Sequence, residues 1–184
     1  DRSMSAIGRN ETNKQDGLPP RRLRLGMVGG GDGAFIGAVH RIAARLDDYY
    51  EIVAGALSSD AERALRSGAA IRLDPARSYS DYREMARLES QRPDGIDVVA
   101  IVTPNHLHAP VASSFLEAGI HVICDKPVTA TLEEAKELAK IVRASDRLFI
   151  LTHNYTGYAM LRQMREMVAN GDIGKLRHVQ AEYA

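Results

Sequence analysis

One cysteine, Cys124, stands in 184 residues, which excludes an intramolecular disulfide framework and any multi-cysteine metal site within one chain. Neither sign of charge is in excess: 24 Lys and Arg balance 24 Asp and Glu, for a net charge of +0. A dedicated nucleic-acid binder carries a basic surplus, so this balance argues against one. No stretch of about 18 apolar residues is present, and no transmembrane helix is indicated. The N-terminal residues lack the apolar core of a signal peptide. No internal repeat or low-complexity tract is visible. The expectation is a soluble cytoplasmic protein with no nucleic-acid and no membrane partner.

Hydrophobic residues make up 45% of the chain, enough for an ordinary buried core. The length suits one domain, or one domain and the start of another. Residues 1–20 are polar, carry Gly8, Gly17, Pro19 and Pro20, show no periodicity and read as a flexible tail. From Arg22 onward strand-like and helix-like segments alternate. Six strands are expected, at Arg24–Val28, Glu51–Leu57, Ala76–Tyr79, Asp97–Val102, His121–Cys124 and Leu148–Leu151. Helices are expected at Ile36–Leu46, Asp60–Ser67 with Gly68 as its stop, Tyr82–Ser90, Asn105–Ala118 closed by Gly119, Thr131–Ser145 and Tyr158–Asn170 ended by Gly171. In Thr131–Ser145 a Thr131 cap has Glu134 three residues on, the spacing of a capping box. A last strand, Leu176–Tyr183, stops at the chain end.

Strands alternating with helices of this length imply βαβ units and a parallel sheet covered on both faces. The fold class is therefore α/β, a Rossmann doubly wound parallel sheet of strand order 3-2-1-4-5-6 over residues 21–151. Residues 152–184 read as a connecting helix and the beginning of a second unit.

Gly29-Gly30-Gly31-Asp32-Gly33-Ala34-Phe35-Ile36-Gly37 follows the first strand and opens the first helix, the context a dinucleotide fingerprint requires. Gly29 is assigned to the tight turn, Gly31 to the phosphate approach and Gly37 to helix–strand packing. Gly37 lies six positions after Gly31, where the plain fingerprint has three. The pyrophosphate is expected over Gly31, Gly33, Ala34, Phe35 and Ile36, at a helix N-terminus with free N–H groups. The acid that holds a ribose 2′-hydroxyl in NAD binders lies about 20 residues beyond the glycines. That count lands on Leu57-Ser58-Ser59, with no acid until Asp60, which suits a helix cap. Ser58, Ser59 and Arg63 then suit a 2′-phosphate, so the cofactor is NAD or NADP, leaning toward NADP.

Ligands of open α/β sheets lie beyond the carboxyl ends of the strands. Thr103-Pro104-Asn105-His106-Leu107-His108 follows the fourth strand, and Asp125-Lys126-Pro127 follows the fifth. As structure alone, Pro104 ends the strand and Asn105 caps the helix. His106 and His108, two apart, share no helix face, and no metal site is read there. A lysine at a strand's carboxyl end faces the cleft, where its ammonium can hydrogen-bond a substrate hydroxyl and favour loss of its proton. Lys126–Pro127 is a candidate cis bond.

The glycine turn ending in Gly37-Ala38-Val39-His40, the Thr103-Pro104-Asn105-xx-His108 segment and the Asp125-Lys126-Pro127 triplet together resemble the glucose–fructose oxidoreductase, inositol dehydrogenase and rhizopine-catabolism (Gfo/Idh/MocA) family. The resemblance runs from about Arg22 to the chain end. The family's usual triplet is Glu-Lys-Pro, and Asp125 is a shortening that keeps the charge. The resemblance implies an NAD(P)-dependent oxidoreductase acting on sugars, cyclitols and related polyols, with Lys126 as its catalytic lysine. It implies that Thr103, Pro104, Asn105 and His108 form the nicotinamide-side loop of the cofactor site, that Asp125 and Lys126 also contact the cofactor, and that Lys126, His153, Asn154 and Tyr155 border the substrate cleft. His40 matches a family position and reads as helix packing. The family carries a second α/β domain that supplies an Asp, a His and the oligomer interface, so the resemblance implies a homo-oligomer assembled beyond Ala184. Three other readings stay open: elimination or hydrolysis through transient oxidation, a cofactor-binding regulator or sensor without turnover, and a Rossmann domain that binds nothing.

Overall fold

The computed structural model describes residues 21–182, and the tail read at 1–20 lies outside the described residues. Five strands form one parallel sheet: β1 (Leu23–Gly29), β2 (Tyr50–Ala56), β3 (Val98–Val102), β4 (His121–Asp125) and β5 (Phe149–Thr152), in the order β2-β1-β3-β4-β5. The helices are α1 (Phe35–Leu46), α2 (Ala61–Ala70), α3 (Tyr82–Ser90), α4 (His108–Glu117), α5 (Leu132–Ala144) and α6 (Ala159–Asn170). The Rossmann-type sheet expected from the alternation is present.

β3, Val-Val-Ala-Ile-Val, is buried at every position because both sheet faces are covered. Val98, Ala100 and Val102 join Leu25, Met27 and Ala44 of β1 and α1 in one core. Val99 and Ile101 turn the other way, onto Val111, Phe115 and Leu138 of α4 and α5 and Met85 of α3. The strand period of two thus feeds two separate cores from one apolar run.

Helix starts follow side-chain chemistry. Asp60 accepts the Arg63 N–H at 2.7 Å and Asp81 accepts the Arg83 N–H at 2.6 Å. Thr131 and Glu134 make the reciprocal capping box. Gly119 and Gly171 follow α4 and α6 with φ of +77° and +79°, as helix-ending glycines do.

The structure corrects three expectations. Ala76–Tyr79 is not a strand. Asp74 accepts the Ala76 N–H at 2.9 Å and, with Pro75, turns the chain into a short 3₁₀ helix, Pro75–Arg77. What remains is one parallel bridge, Ser78 to Gly55, on the outer edge of β2 where the third strand of the 3-2-1-4-5-6 order belongs. Gly68 does not stop α2, which runs on to Ala70; a Cβ there would collide with the Ser78 hydroxyl, so this glycine serves packing. Leu176–Tyr183 shows no strand through Glu182, the last described residue. A strand needs a partner ladder, and none of the described strands offers one there.

The edge segment is held by a buried charge cluster. Arg77 donates to both carboxylate oxygens of Glu89, and the Tyr79 hydroxyl donates to Glu89 at 2.8 Å. Glu89 is 1% exposed and Arg77 7%. Burial and the Glu89 charge push the Tyr79 phenol well above its ordinary pKa. Removing one partner of such a pair leaves a buried, unbalanced charge. Arg77→Ala is therefore expected to cost about 3–5 kcal/mol in urea unfolding, and Arg77→Met combined with Glu89→Leu should recover part of that loss.

Candidate functional site

Strand register brings the carboxyl ends to one level. Val28 pairs with Ala56 and Gly29 with Val102, so the chain leaves β1, β2 and β3 side by side. Ile101 pairs with Cys124, which puts Lys126 level with Thr103. α1 leaves β1 toward β2 on one face, while α4 lies on the other, and a crevice opens between them.

A cavity of about 530 Å³ fills that crevice. It is lined by Gly29 through Ala34 from the glycine loop, Ser58, Ser59 and Arg63 from the end of β2 and the start of α2, and Thr103 and Pro104 after β3. Eleven residues of the chain spread over 75 positions of sequence thus meet in one hollow. Val28, Ala56, Leu57, Ser80, Tyr82, Val102, Leu107 and Val111 complete the lining. The expectations passed over these, because a buried strand end or helix face carries no signal beyond its apolar pattern. Tyr82, with the Arg83 guanidinium 4.5 Å from its ring centroid, had an aromatic signal that could have marked it.

Glycine is required here for specific reasons. Gly29 and Gly30 have φ of +80° and +71°, in the left-handed region. A Cβ on Gly37 would run into the Gly30 backbone, so the packing role assigned to Gly37 matches its surroundings. A Cβ on Gly31 would lie 2.5 Å from the Leu57 carbonyl oxygen and 3.0 Å from the Ser67 hydroxyl. The pressure on Gly31 thus comes from β2 and α2. The loop is pinned from three sides: Ser67 accepts the Asp32 N–H at 3.1 Å, Arg63 donates to the Asp32 carbonyl at 2.8 Å, and Arg41 donates to the Gly30 carbonyl at 2.7 Å.

Two features leave polar groups available to a ligand. α1 starts at Ala34 without a side-chain cap and without an acid in its first turn, unlike α2, α3 and α5. Its first N–H groups are thus open to an anion. The Thr103 hydroxyl oxygen is buried and has no hydrogen-bond partner among the described residues.

Other expected site residues lie elsewhere. Phe35 is 81% exposed and Ile36 packs into the α1-side core. Asp60 caps α2, and the Ser58 hydroxyl accepts the Asp60 N–H at 3.2 Å. Asn105 opens a 3₁₀ turn, Asn105–Leu107, and makes no side-chain cap, so α4 begins only at His108. His108 is buried, its ring nitrogens 2.6 Å from the Pro127 carbonyl oxygen and 2.9 Å from that of Thr103. Lys126 is exposed and precedes Pro127 through a cis bond. Asp125 turns to the α1 face, where its carboxylate accepts the Thr152 hydroxyl at 2.8 Å and stands 3.8 Å from His40 Nε2. Burial holds the His40 imidazole below its ordinary pKa, against the pull of Asp125. Burial, with the Asp125 charge adding, pushes the Cys124 thiol up to about 12, so it is no nucleophile. His40, Thr152 and Asn154 border a second, apolar hollow of about 320 Å³. His153, Asn154 and Tyr155 follow β5, and Tyr155 stacks edge-on to Tyr158 with ring centroids 5.6 Å apart. No group of three or more metal-ligating side chains occurs among the described residues.

Comparison with known proteins agrees with this geometry. The family model GFO/IDH/MocA, described as an oxidoreductase family with an NAD-binding Rossmann fold, matches residues 23–153. The chain is similar to the crystal structure of an oxidoreductase from Sinorhizobium meliloti, at 64% identity and a TM-score of 0.83, covering 86% of this chain and 44% of that one. It is similar to an inositol dehydrogenase homolog from Azotobacter vinelandii complexed with NAD+, at 42% identity and a TM-score of 0.82, covering 85% and 40%. A levoglucosan dehydrogenase of Pseudarthrobacter phenanthrenivorans is 32% identical over 168 residues, 89% of this chain and 41% of that protein. The chain thus spans about two-fifths of the length of these relatives.

Gly31→Val is expected to force the loop off β2, at about 1–3 kcal/mol of overpacking strain. The variant should bind dinucleotide much more weakly in calorimetry, and an unchanged affinity would remove Gly31 from the site.

Proposed function

This chain belongs to the Gfo/Idh/MocA oxidoreductase family, with its NAD-binding Rossmann fold, and on that premise we propose that residues 21–151 bind the cofactor of a dehydrogenase acting on a sugar, cyclitol or related polyol. The reaction moves a hydride between a carbinol carbon of the substrate and the cofactor. The cavity at the ends of β1, β2 and β3 carries this reading.

The residues present fit a dinucleotide. Gly29, Gly31 and Gly33 present backbone without side chains, and the uncapped start of α1 at Phe35 and Ile36 offers N–H groups to a pyrophosphate, while the Ala34 N–H turns back to the Gly31 carbonyl at 3.0 Å. The partnerless Thr103 hydroxyl stands at the cavity wall as a donor or acceptor for the bound group. Pro104 lines the same wall, and the Asn105–Leu107 turn follows it. A bound nicotinamide supplies the hydride acceptor. Lys126, exposed and level with Thr103, donates a hydrogen bond to the substrate hydroxyl and stabilises the charge that develops as its proton passes to water and its carbon gives up the hydride. His153, Asn154 and Tyr155, at the end of β5, border the substrate. The greater length of the relatives supports a further domain that completes substrate binding and joins the subunits of a homo-oligomer. Residues 1–184 alone then bind cofactor without steady turnover.

NADP is the favoured dinucleotide. No carboxylate occupies positions 57–59, Asp60 is committed to capping α2, and Arg63 lies on the cavity wall beside Ser58 and Ser59. A 2′-phosphate meets the Arg63 guanidinium there.

Two measurements test the reading. Fluorescence titration should show NADP+ binding at least as tightly as NAD+, and Ser58→Asp should move the ratio toward NAD+ by about tenfold, equivalent to about 1.4 kcal/mol. A clear native preference for NAD+ contradicts the assignment. In an enzyme of the relatives' full length, Lys126→Ala should lower kcat on a polyol by about 10²–10⁴-fold while cofactor affinity stays nearly unchanged. Wild-type turnover in that variant would reduce Lys126 to a surface charge, and cofactor binding with no polyol turnover in the unmodified enzyme would favour a sensor.

A further inference from the structure

The His108 imidazole is 1% exposed and stands between two backbone carbonyls from different loops. Nδ1 lies 2.6 Å from the Pro127 oxygen, one residue past Lys126. Nε2 lies 2.9 Å from the Thr103 oxygen, on a cavity-wall residue whose buried hydroxyl has no partner among the described residues. A neutral ring carries a single N–H, so it donates to one of the two carbonyl oxygens at a time while the ring itself spans both. Among the described residues no other hydrogen bond joins the loop after β3 to the Asp125–Lys126–Pro127 segment. Thr152 and His40 hold Asp125 from the far face. The Lys126 ammonium makes no hydrogen bond to any described residue, so its place is set by the backbone that carries it.

Resting on the proposed roles of Thr103 and Lys126, we propose that His108 is a positioning residue that fixes the distance between the cofactor wall at Thr103 and the substrate lysine at Lys126. It touches neither cofactor nor substrate. Its ring is a rigid planar spacer rooted in the first turn of α4, which is itself packed through Val111, Ala112 and Phe115 in the core. Rigidity matters because a misplacement of about 1 Å in a reacting group can cost on the order of 10²-fold in rate.

Two substitutions separate shape from hydrogen bonding. His108→Phe keeps a ring and loses both polar contacts, while His108→Gln keeps an amide donor for one carbonyl. The readout is competitive acetylation of the chain's lysines by acetic anhydride, followed by peptide mass spectrometry. Lys136 and Lys140 on α5 serve as internal references. His108→Phe is expected to change the Lys126 rate about threefold or more while Lys136 and Lys140 stay constant, and to weaken NADP+ binding about tenfold, as expected for loss of a buried hydrogen bond. His108→Gln should fall between Phe and the parent. If His108→Phe does not fold by circular dichroism, His108→Gln decides alone. Lys126 rates within twofold of the parent in the folded variants overturn the proposal, as does an equal rise at Lys136 and Lys140, which marks general loosening. The labelling needs no cofactor. Failure of the parent chain to bind either dinucleotide would sink the cofactor reading and leave the labelling to judge His108 by itself.

Discussion

The contact between Gly30 and Gly37 governs the architecture of the site. No side chain fits between these two backbones, so α1 sits directly on the loop that leaves β1. That proximity aims the first turn of α1 at the ends of β1, β2 and β3 and leaves room for the 530 Å³ cavity between them. Everything polar at the site is referenced to this contact. Arg41 reaches back from α1 to the Gly30 carbonyl, and Arg63 and Ser67 reach in from α2 to Asp32. The loop is glycine-rich yet held in one place, which is how a preformed anion cradle avoids ordering costs on binding.

Around that centre the chain places its charges unevenly. The Arg77–Glu89 pair is buried outside the cavity lining and acts as an anchor for the segment at the sheet edge. Near the cavity the arrangement is different: the α1 start is uncapped, Thr103 keeps a spare hydroxyl, and Lys126 is free in solvent. Paired groups make the frame, while the cavity wall keeps backbone and hydroxyl groups without partners. Asp125 belongs to the frame, since Thr152 and His40 engage its carboxylate on the α1 face.

Local patterns in the sequence translated well where one short-range interaction dominates. The capping box at Thr131 and Glu134, the glycines after α4 and α6, the Asp60 cap and the apolar run of β3 all rest on neighbours within a few residues. Where two interactions compete, the pattern misled. Ala76–Tyr79 has strand-like residues, but the Asp74–Pro75 turn and the pull of Glu89 on Arg77 and Tyr79 leave it one bridge. Gly68 has the look of a helix stop and is instead a small residue under Ser78. Asn105 has the chemistry of a cap, yet the chain makes a 3₁₀ turn first.

The amino-acid sequence by itself determined the α/β class, the glycine loop between first strand and first helix, the lack of an acid at the end of the second strand and the Lys126 segment. Each is a matter of residue type and spacing along the chain. Only the tertiary structure decided which of these meet. It joined the glycine loop to Ser58, Ser59, Arg63 and Thr103, and it turned Asp125 away toward His40. It also converted His108 from an expected cofactor contact into a buried link between two loops. The reason is register: parallel strands set the level at which each chain segment leaves the sheet, and that level depends on pairing between residues tens of positions apart, which no local pattern encodes.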